Sequence, residues 1–187
     1  MLETEINTND ELWLSKVEAP QIISDPNLFS WDDEADLVVA GLGGAGIAAA
    51  NEALDHQLSV IGIDKTNGGG STAKSGGVFY AGGGTPIQLA AGVEDTPENM
   101  FNYLIQETGD VVKKSTLKKF CDTSAETTQW LMDNGVQFDS SYYKIKTSCP
   151  GEGYYLYHSD NSLVPSYMQN AIPAPRGHRG YEDGPFR

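Results

Sequence analysis

The feature that most constrains this chain is a short apolar run that enters G-x-G-x-x-G and then an alanine-rich segment. Leu37, Val38, Val39 and Ala40 form the run, as expected of a parallel strand covered on both faces. Gly41, Gly43 and Gly46 follow at the spacing of a dinucleotide-binding turn. Gly41 allows the tight turn out of the strand. Gly43 lets backbone approach a pyrophosphate, and Gly46 lets the next helix pack close to the sheet. That helix is expected from Gly44 to about Asp55, kept slim by Ala48, Ala49, Ala50 and Ala53. Its first N–H groups and positive dipole end would point at the phosphates, through Gly43, Gly44, Ala45 and Gly46.

A second strand is expected over residues 58–63, and it ends in Asp64. Asp64 falls 23 residues after Gly41, close to the roughly 20 expected for the acid that accepts hydrogen bonds from a ribose. An NAD domain usually continues into a helix soon after this strand. Here Gly68 to Gly84 is a long glycine and hydroxyl run instead: G-G-G-S-T-A-K-S-G-G-V-F-Y-A-G-G-G. Such backbone can lie against a flat ligand, with Ser71, Thr72 and Ser75 as hydroxyl donors. The run also has the composition of a flexible linker. Val78, Phe79 and Tyr80 argue against a linker, because a solvated tether has no use for three large apolar groups.

At these residues the chain resembles the FAD-dependent fumarate reductase/succinate dehydrogenase flavoprotein superfamily, and within it most of all the 3-ketosteroid dehydrogenases. Asp36–Gly46, Ile61–Lys65 and Gly69–Thr85 carry the resemblance, and it continues less specifically through Trp130–Phe138 and Pro173–Arg179. The resemblance implies an α/β fold: a Rossmann-like FAD-binding domain with a parallel sheet and flanking helices. It implies that Asp64 and Lys65, with the first glycine motif, hold the ADP half of FAD. It implies that Ser71, Thr72, Ser75, Gly76 and Gly77 lie along the pyrophosphate and flavin. The family's acid is often Glu, so Asp64 has a shorter reach. Some relatives bond the flavin covalently through a His, and the nearest matching position here is Gly70, so non-covalent FAD is implied.

The family builds its FAD domain from two ends of a long polypeptide, with a substrate-capping domain inserted between them. The resemblance therefore implies an N-terminal arm over residues 1–34, the first part of the FAD domain over 35–180, and the start of a linker over 181–187. It implies a fragment without turnover of its own, from an enzyme acting beside a ketone in a small, steroid-like substrate. Catalytic residues remain unassigned within the chain. A non-catalytic nucleotide-binding or interaction module with the same fold is the rival reading.

The chain has 187 residues, enough for one domain with a core. Its net charge of -14, from 26 acids and 12 bases, disfavours nucleic acid and anionic membrane surfaces as partners. No apolar run approaches the ~18 residues of a membrane span. The acidic start M-L-E-T-E-I-N-T-N-D-E-L lacks the features of a signal peptide, so cytoplasm is the expected location. Two cysteines, Cys121 and Cys149, leave a single disulfide open; Cys121 reads as a buried thiol on a helix face.

Elsewhere, Trp13, Leu14, Ile22, Ile23, Leu28 and Phe29 would anchor the N-terminal arm over the domain, with the first ten residues reading equally as a disordered tail. Thr96-Pro97-Glu98 starts a helix that Gly109 ends. A second helix is expected over 114–134, with Leu117, Phe120, Cys121, Ala125, Thr128, Leu131 and Met132 on its core face and Gly135 as its stop. Val136 to Phe138 should begin a strand. Tyr142, Tyr143 and Ile145, then residues 154–157, read as a hairpin or two adjacent strands. These tyrosines either line a flat apolar site or simply favour strands. His158-Ser159-Asp160 is not a hydrolase triad, since triad members meet in space rather than along the chain. His56, His158 and His178 have no metal-ligand spacing, so no metal is expected, and His56 should be solvated at a helix end. Arg176, His178 and Arg179 could meet a phosphate or carboxylate, or form a surface loop held by Pro173 and Pro175.

Overall fold

A computed structural model describes residues 19–181. β1 (Leu37–Ala40) runs through the glycine turn into α1 (Gly44–Asp55), and β2 (Val60–Ile63) returns parallel to β1. Leu37 pairs with Val60 and Ala40 with Ile63. α1 packs on both strands, and a Cβ at Gly46 would lie 1.9 Å from the Gly41 carbonyl oxygen. Only glycine permits that approach, as the motif demands. The expectation that β1 is covered on both faces is corrected here. Val39 is buried, whereas Val38 is 54% exposed and Ile63 55%. Within this chain α1 shields one face, and no described element covers the other.

The chain then passes through a single 3-10 turn at Thr72–Lys74 into β3 (Val78–Tyr80). Three helices follow: α2 (Pro86–Ala90), α3 (Pro97–Thr108) and α4 (Lys114–Asp133). Their ends obey local rules. Thr96 Oγ1 accepts the Asn99 N–H at 3.0 Å, and Gly109 closes α3 with φ +52°. α2 was not anticipated, although Thr85 and Gln88 form a complete capping box. α3 packs along α4, and α2 touches α4. On α4 the buried face is Leu117, Cys121, Ser124 and Thr128. Phe120, assigned to that face from its hydrophobicity, is 42% exposed. Ser124 takes the inner place because its hydroxyl accepts the Gly82 N–H at 3.0 Å.

The last part builds a second sheet with β4 (Tyr142–Tyr143), β5 (Leu156–Tyr157) and β6 (Gly177–Arg179), in the order β3-β6-β5-β4. β6 lies antiparallel to β3 and β5, and β4 lies parallel to β5. The two tyrosine-rich strands are thus adjacent but not a hairpin, because residues 144–155 cross over to start β5 in the same direction. Val136 to Phe138 gives a single bridge, Phe138 to Gly180, rather than a strand.

The surface-loop reading of Arg176 to Arg179 is also corrected. Arg176 and His178 are fully buried on and beside β6. Arg176 Nε and Nη2 each donate to Asp95 at 2.9 Å, and both side chains are 0% exposed. Its Nη1 lies 3.7 Å from Asp160 and has no hydrogen-bond partner among the described residues, while the guanidinium sits 5.3 Å from the centre of the Tyr103 ring. Burial pushes the Asp95 carboxyl up, but the bonds from Arg176 prevail and hold it below the usual range. Met100, Tyr103, Leu156 and Tyr157 complete this core.

The arm is less anchored than expected. Ile22 is 90% exposed and Leu28 86%, so neither packs on the domain. Trp13, Leu14 and residues 182–187 lie outside the described residues. Cys121 and Cys149 are both free, with Cys121 buried and its thiol pushed up to about 11 by burial. No helix among the described residues is long and apolar enough to cross a membrane.

Candidate functional site: a glycine-lined groove

The site forms where the turn after β1 meets the loop after β2. Gly41, at φ +96°, turns the chain, and its N–H donates to the Ile63 carbonyl at 2.7 Å. Leu42 is then held twice. Its N–H donates to Asp64 Oδ2 at 2.8 Å, and its carbonyl accepts the Gly69 N–H at 2.7 Å. These bonds draw the second glycine run over the first. A Cβ at Gly70 would lie 3.1 Å from Gly43 Cα, and one at Gly44 would lie 2.9 Å from Thr72 Oγ1. Gly43 and Gly70, 27 residues apart in the chain, therefore meet backbone to backbone, which side chains would prevent.

Between them lies a groove of about 620 Å³, lined by Gly41, Asp64, Lys65, Thr66, Ser71 and Lys74 among others. That volume suits a nucleotide-sized ligand. α1 opens beside it. Its cap residue is Gly43, with no side-chain cap bond and no acid in the first turn. The N–H groups of the first turn are left for an external anion, and the dipole favours negative charge there. Lys65 and Lys74 add positive charge to the wall. A dinucleotide's pyrophosphate fits these donors.

The candidate residues divide in three. Gly41, Asp64, Lys65 and Ser71 border the groove itself. Gly43, Gly44, Ala45 and Gly46 form the turn and helix start beside it, and Thr72, in the 3-10 turn after β2, lies against Gly44. Ser75, Gly76 and Gly77 continue away from it as exposed backbone leading into β3. Thr66, Gly68, Gly70 and Lys74 also line the groove and were not among the candidates. Their signal was present for Thr66, since Asp-x-Thr is a local turn pattern. Lys74 had only its place in the hydroxyl run.

Asp64 is more occupied than the sequence suggested. Besides Leu42, it accepts the Thr66 N–H and hydroxyl, both at 2.8 Å on Oδ1. These bonds, Leu42's first, hold its carboxyl below the usual range.

The other candidates lie elsewhere. His56 is exposed at the end of α1, 3.2 Å from Glu52. His158 is buried, with Nε2 2.7 Å from Tyr142 Oη and Nδ1 3.4 Å from Ser162 Oγ, and Ser162 donates to Asp160 at 2.6 Å. Ser162, not Ser159, is the serine at His158. Tyr143 pairs edge-on with Tyr154, Tyr155 stacks on Tyr181, and none of them borders the groove. Among the described residues, no group of His, Cys, Asp or Glu is arranged to hold a metal ion.

A parallel β-α-β unit whose glycine turn, bare helix start and terminal acid face one groove defines a dinucleotide-binding α/β domain. The FAD binding domain family matches residues 36–172, and the chain belongs to that family, whose cofactor is FAD. A 3-oxo-5-alpha-steroid 4-dehydrogenase of Comamonas testosteroni is 41% identical over 152 residues, covering 80% of this chain and 28% of the relative. An NADH:fumarate oxidoreductase of Klebsiella pneumoniae is 31% identical over 106 residues, covering 56% of this chain and 11% of the relative. Among solved structures, a 3-ketosteroid-delta4-(5alpha)-dehydrogenase from Rhodococcus jostii RHA1, in complex with 4-androstene-3,17-dione, aligns with TM-score 0.78 at 39% identity. That alignment covers 84% of this chain and 33% of the other. The chain thus spans about a third or less of these relatives' length.

Proposed function

We propose that this chain is the N-terminal FAD-binding portion of a flavin-dependent oxidoreductase, one that transfers hydride between FAD and a carbon–carbon bond next to a ketone. The observation that carries the reading is the groove, in which two glycine runs and an uncapped helix start converge on one acid. The steroid dehydrogenases among the relatives support a steroid-like substrate. Bound FAD would supply the two-electron carrier.

The chain's own residues would bind and orient it. Gly41, Gly43, Gly44, Ala45 and Gly46 present backbone to the pyrophosphate, with Lys65 and Lys74 neutralising its charge. Asp64 accepts from the adenosine ribose. Ser71, Thr72, Ser75, Gly76 and Gly77 follow the cofactor toward the flavin ring. Gly70 offers no nucleophile, so the attachment is non-covalent. The exposed Val38 and Ile63 face marks where further chain of the family fold would pack. The acid or base that handles the substrate proton belongs to that further chain, and the 187-residue protein alone is inactive.

Titration of the purified chain with FAD tests the first part, read by flavin fluorescence. Saturable binding is expected, with all flavin released on acid precipitation. No binding would overturn the cofactor assignment, and flavin retained in the pellet would overturn the non-covalent attachment. Addition of a 3-ketosteroid and an artificial electron acceptor tests the rest. No turnover above a no-protein control is expected, and steady turnover would place catalytic residues within this chain.

A further inference from the structure

Asp64 has about four lone-pair positions, and the chain itself fills three of them. Thr66 donates twice to Oδ1, and Leu42 donates once to Oδ2. Leu42 is the middle residue of the turn that would approach the pyrophosphate, and its carbonyl is tied to Gly69 on the opposite wall. The carboxylate therefore joins the two walls of the groove. Its remaining position, on Oδ2, leaves room for one ribose hydroxyl rather than two.

We propose that Thr66 is a positioning residue for the cofactor groove: it orients Asp64, which in turn holds Leu42 and the phosphate-binding turn in shape before any cofactor arrives. The proposal rests on the FAD reading above and assigns a role to a side chain that need not touch the cofactor. Its energetic logic is preorganisation. A turn already held in its binding geometry loses less freedom on association. The carboxyl of Asp64, held below the usual range, agrees, since each of these donors favours the charged carboxylate.

The test uses the full chain with two ligands, FAD and an FAD analogue whose adenosine ribose lacks both hydroxyls. Thr66→Val should weaken both ligands by a similar factor, about tenfold, and Thr66→Ser should restore wild-type affinity because it keeps the hydroxyl. Asp64→Asn should also weaken the analogue, which has no hydroxyl to lose. Wild-type affinity in Thr66→Val, or an Asp64→Asn penalty that vanishes with the analogue, would overturn the proposal and leave the FAD reading standing. Failure of the wild type to bind FAD would overturn both. A readout without ligand keeps the test open if a variant folds poorly. In the cofactor-free wild type the Leu42 amide should exchange with solvent much more slowly than that of Ala45, whose N–H has no intrahelical acceptor. Equal, fast exchange at both sites would show that Asp64 does not hold the turn.

Discussion

Gly41–Gly46 and Arg176–His178 are both poor in large hydrophobic side chains, yet their surroundings are opposite. The glycine turn stands beside open solvent, on a two-stranded sheet with Val38 and Ile63 more than half exposed. Its Gly41 and Leu42 N–H groups are held by Ile63 and Asp64, while the first N–H groups of α1 have no acceptor within the helix. The Arg176 segment is sealed at 0% exposure, and its polar groups are aimed at one another. The helix start keeps its donors free for a ligand, whereas the buried segment pairs Arg176 Nε and Nη2 with Asp95 and leaves Nη1 3.7 Å from Asp160. The difference shows that polarity in a sequence does not say where a segment sits. What decides is whether a partner is supplied by the fold or from outside.

The largest expected effect breaks the sealed region. Arg176→Met leaves Asp95 buried without its partner, and removal of one member of a buried pair costs about 3–5 kcal/mol. Urea unfolding should report a loss of that size, with m unchanged. A loss below about 1 kcal/mol would mean that Asp95 finds another donor or reaches solvent.

Acid should attack the same region next. Burial pushes His178 down to about 4, against smaller opposing bonds from the Arg176 and Phe79 backbones. The unfolded chain titrates near 6.5, so between those values it binds a proton that the folded chain refuses. Stability is therefore complete above about pH 6.5 and falls as pH drops toward 4, by about 3 kcal/mol in total. His178→Gln should flatten this slope in urea unfolding between pH 7 and 4.5. An unchanged slope would assign the acid sensitivity to other groups.

Two glycine substitutions sharpen the contrast from the open side. Gly46→Ala places its methyl 1.9 Å from Gly41 O, so α1 must shift from β1, costing about 1–3 kcal/mol and the flavin site with it. Gly43→Ala meets nothing closer than 3.9 Å, so stability should change by less than about 0.5 kcal/mol. The Gly43 methyl should nevertheless abolish flavin binding, because it occupies the space a pyrophosphate needs. Thermal melts with flavin titrations separate the two. Normal flavin affinity in Gly43→Ala would show that the groove admits the cofactor differently.

Asp64→Ala has the smallest expected effect on flavin binding of the three groove substitutions. It removes a charge-assisted acceptor from an exposed loop, and FAD affinity should fall by about 10- to 100-fold. Unchanged affinity by fluorescence titration would remove β2 from the site.

Most elements governed by local chemistry were legible. The bounds of α1 and α3 follow from Gly43 and Thr96 at their starts and Gly109 at the end of α3, all residues whose effect acts within one turn of chain. The groove was legible for the same reason, because glycine spacing states where backbone must come close. What could not be read needed distant partners. Phe120 outranks Ser124 by hydrophobicity, but Ser124 faces inward because Gly82, 42 residues away, needs an acceptor. β6 hid inside A-P-R-G-H-R, where prolines and charges resemble a loop. Asp95, 81 residues earlier, accepts two hydrogen bonds from Arg176 and makes its burial tolerable.

The sequence by itself determined the β-α-β unit, its glycine turn and the helix ends, since these depend on φ freedom and caps that each residue carries with it. Tertiary structure alone decided the parallel pairing of β4 with β5, the sealing of Arg176 and the commitment of Asp64 to Leu42 and Thr66. Those depend on which donors and acceptors meet once the chain is folded, and no local spacing encodes that meeting.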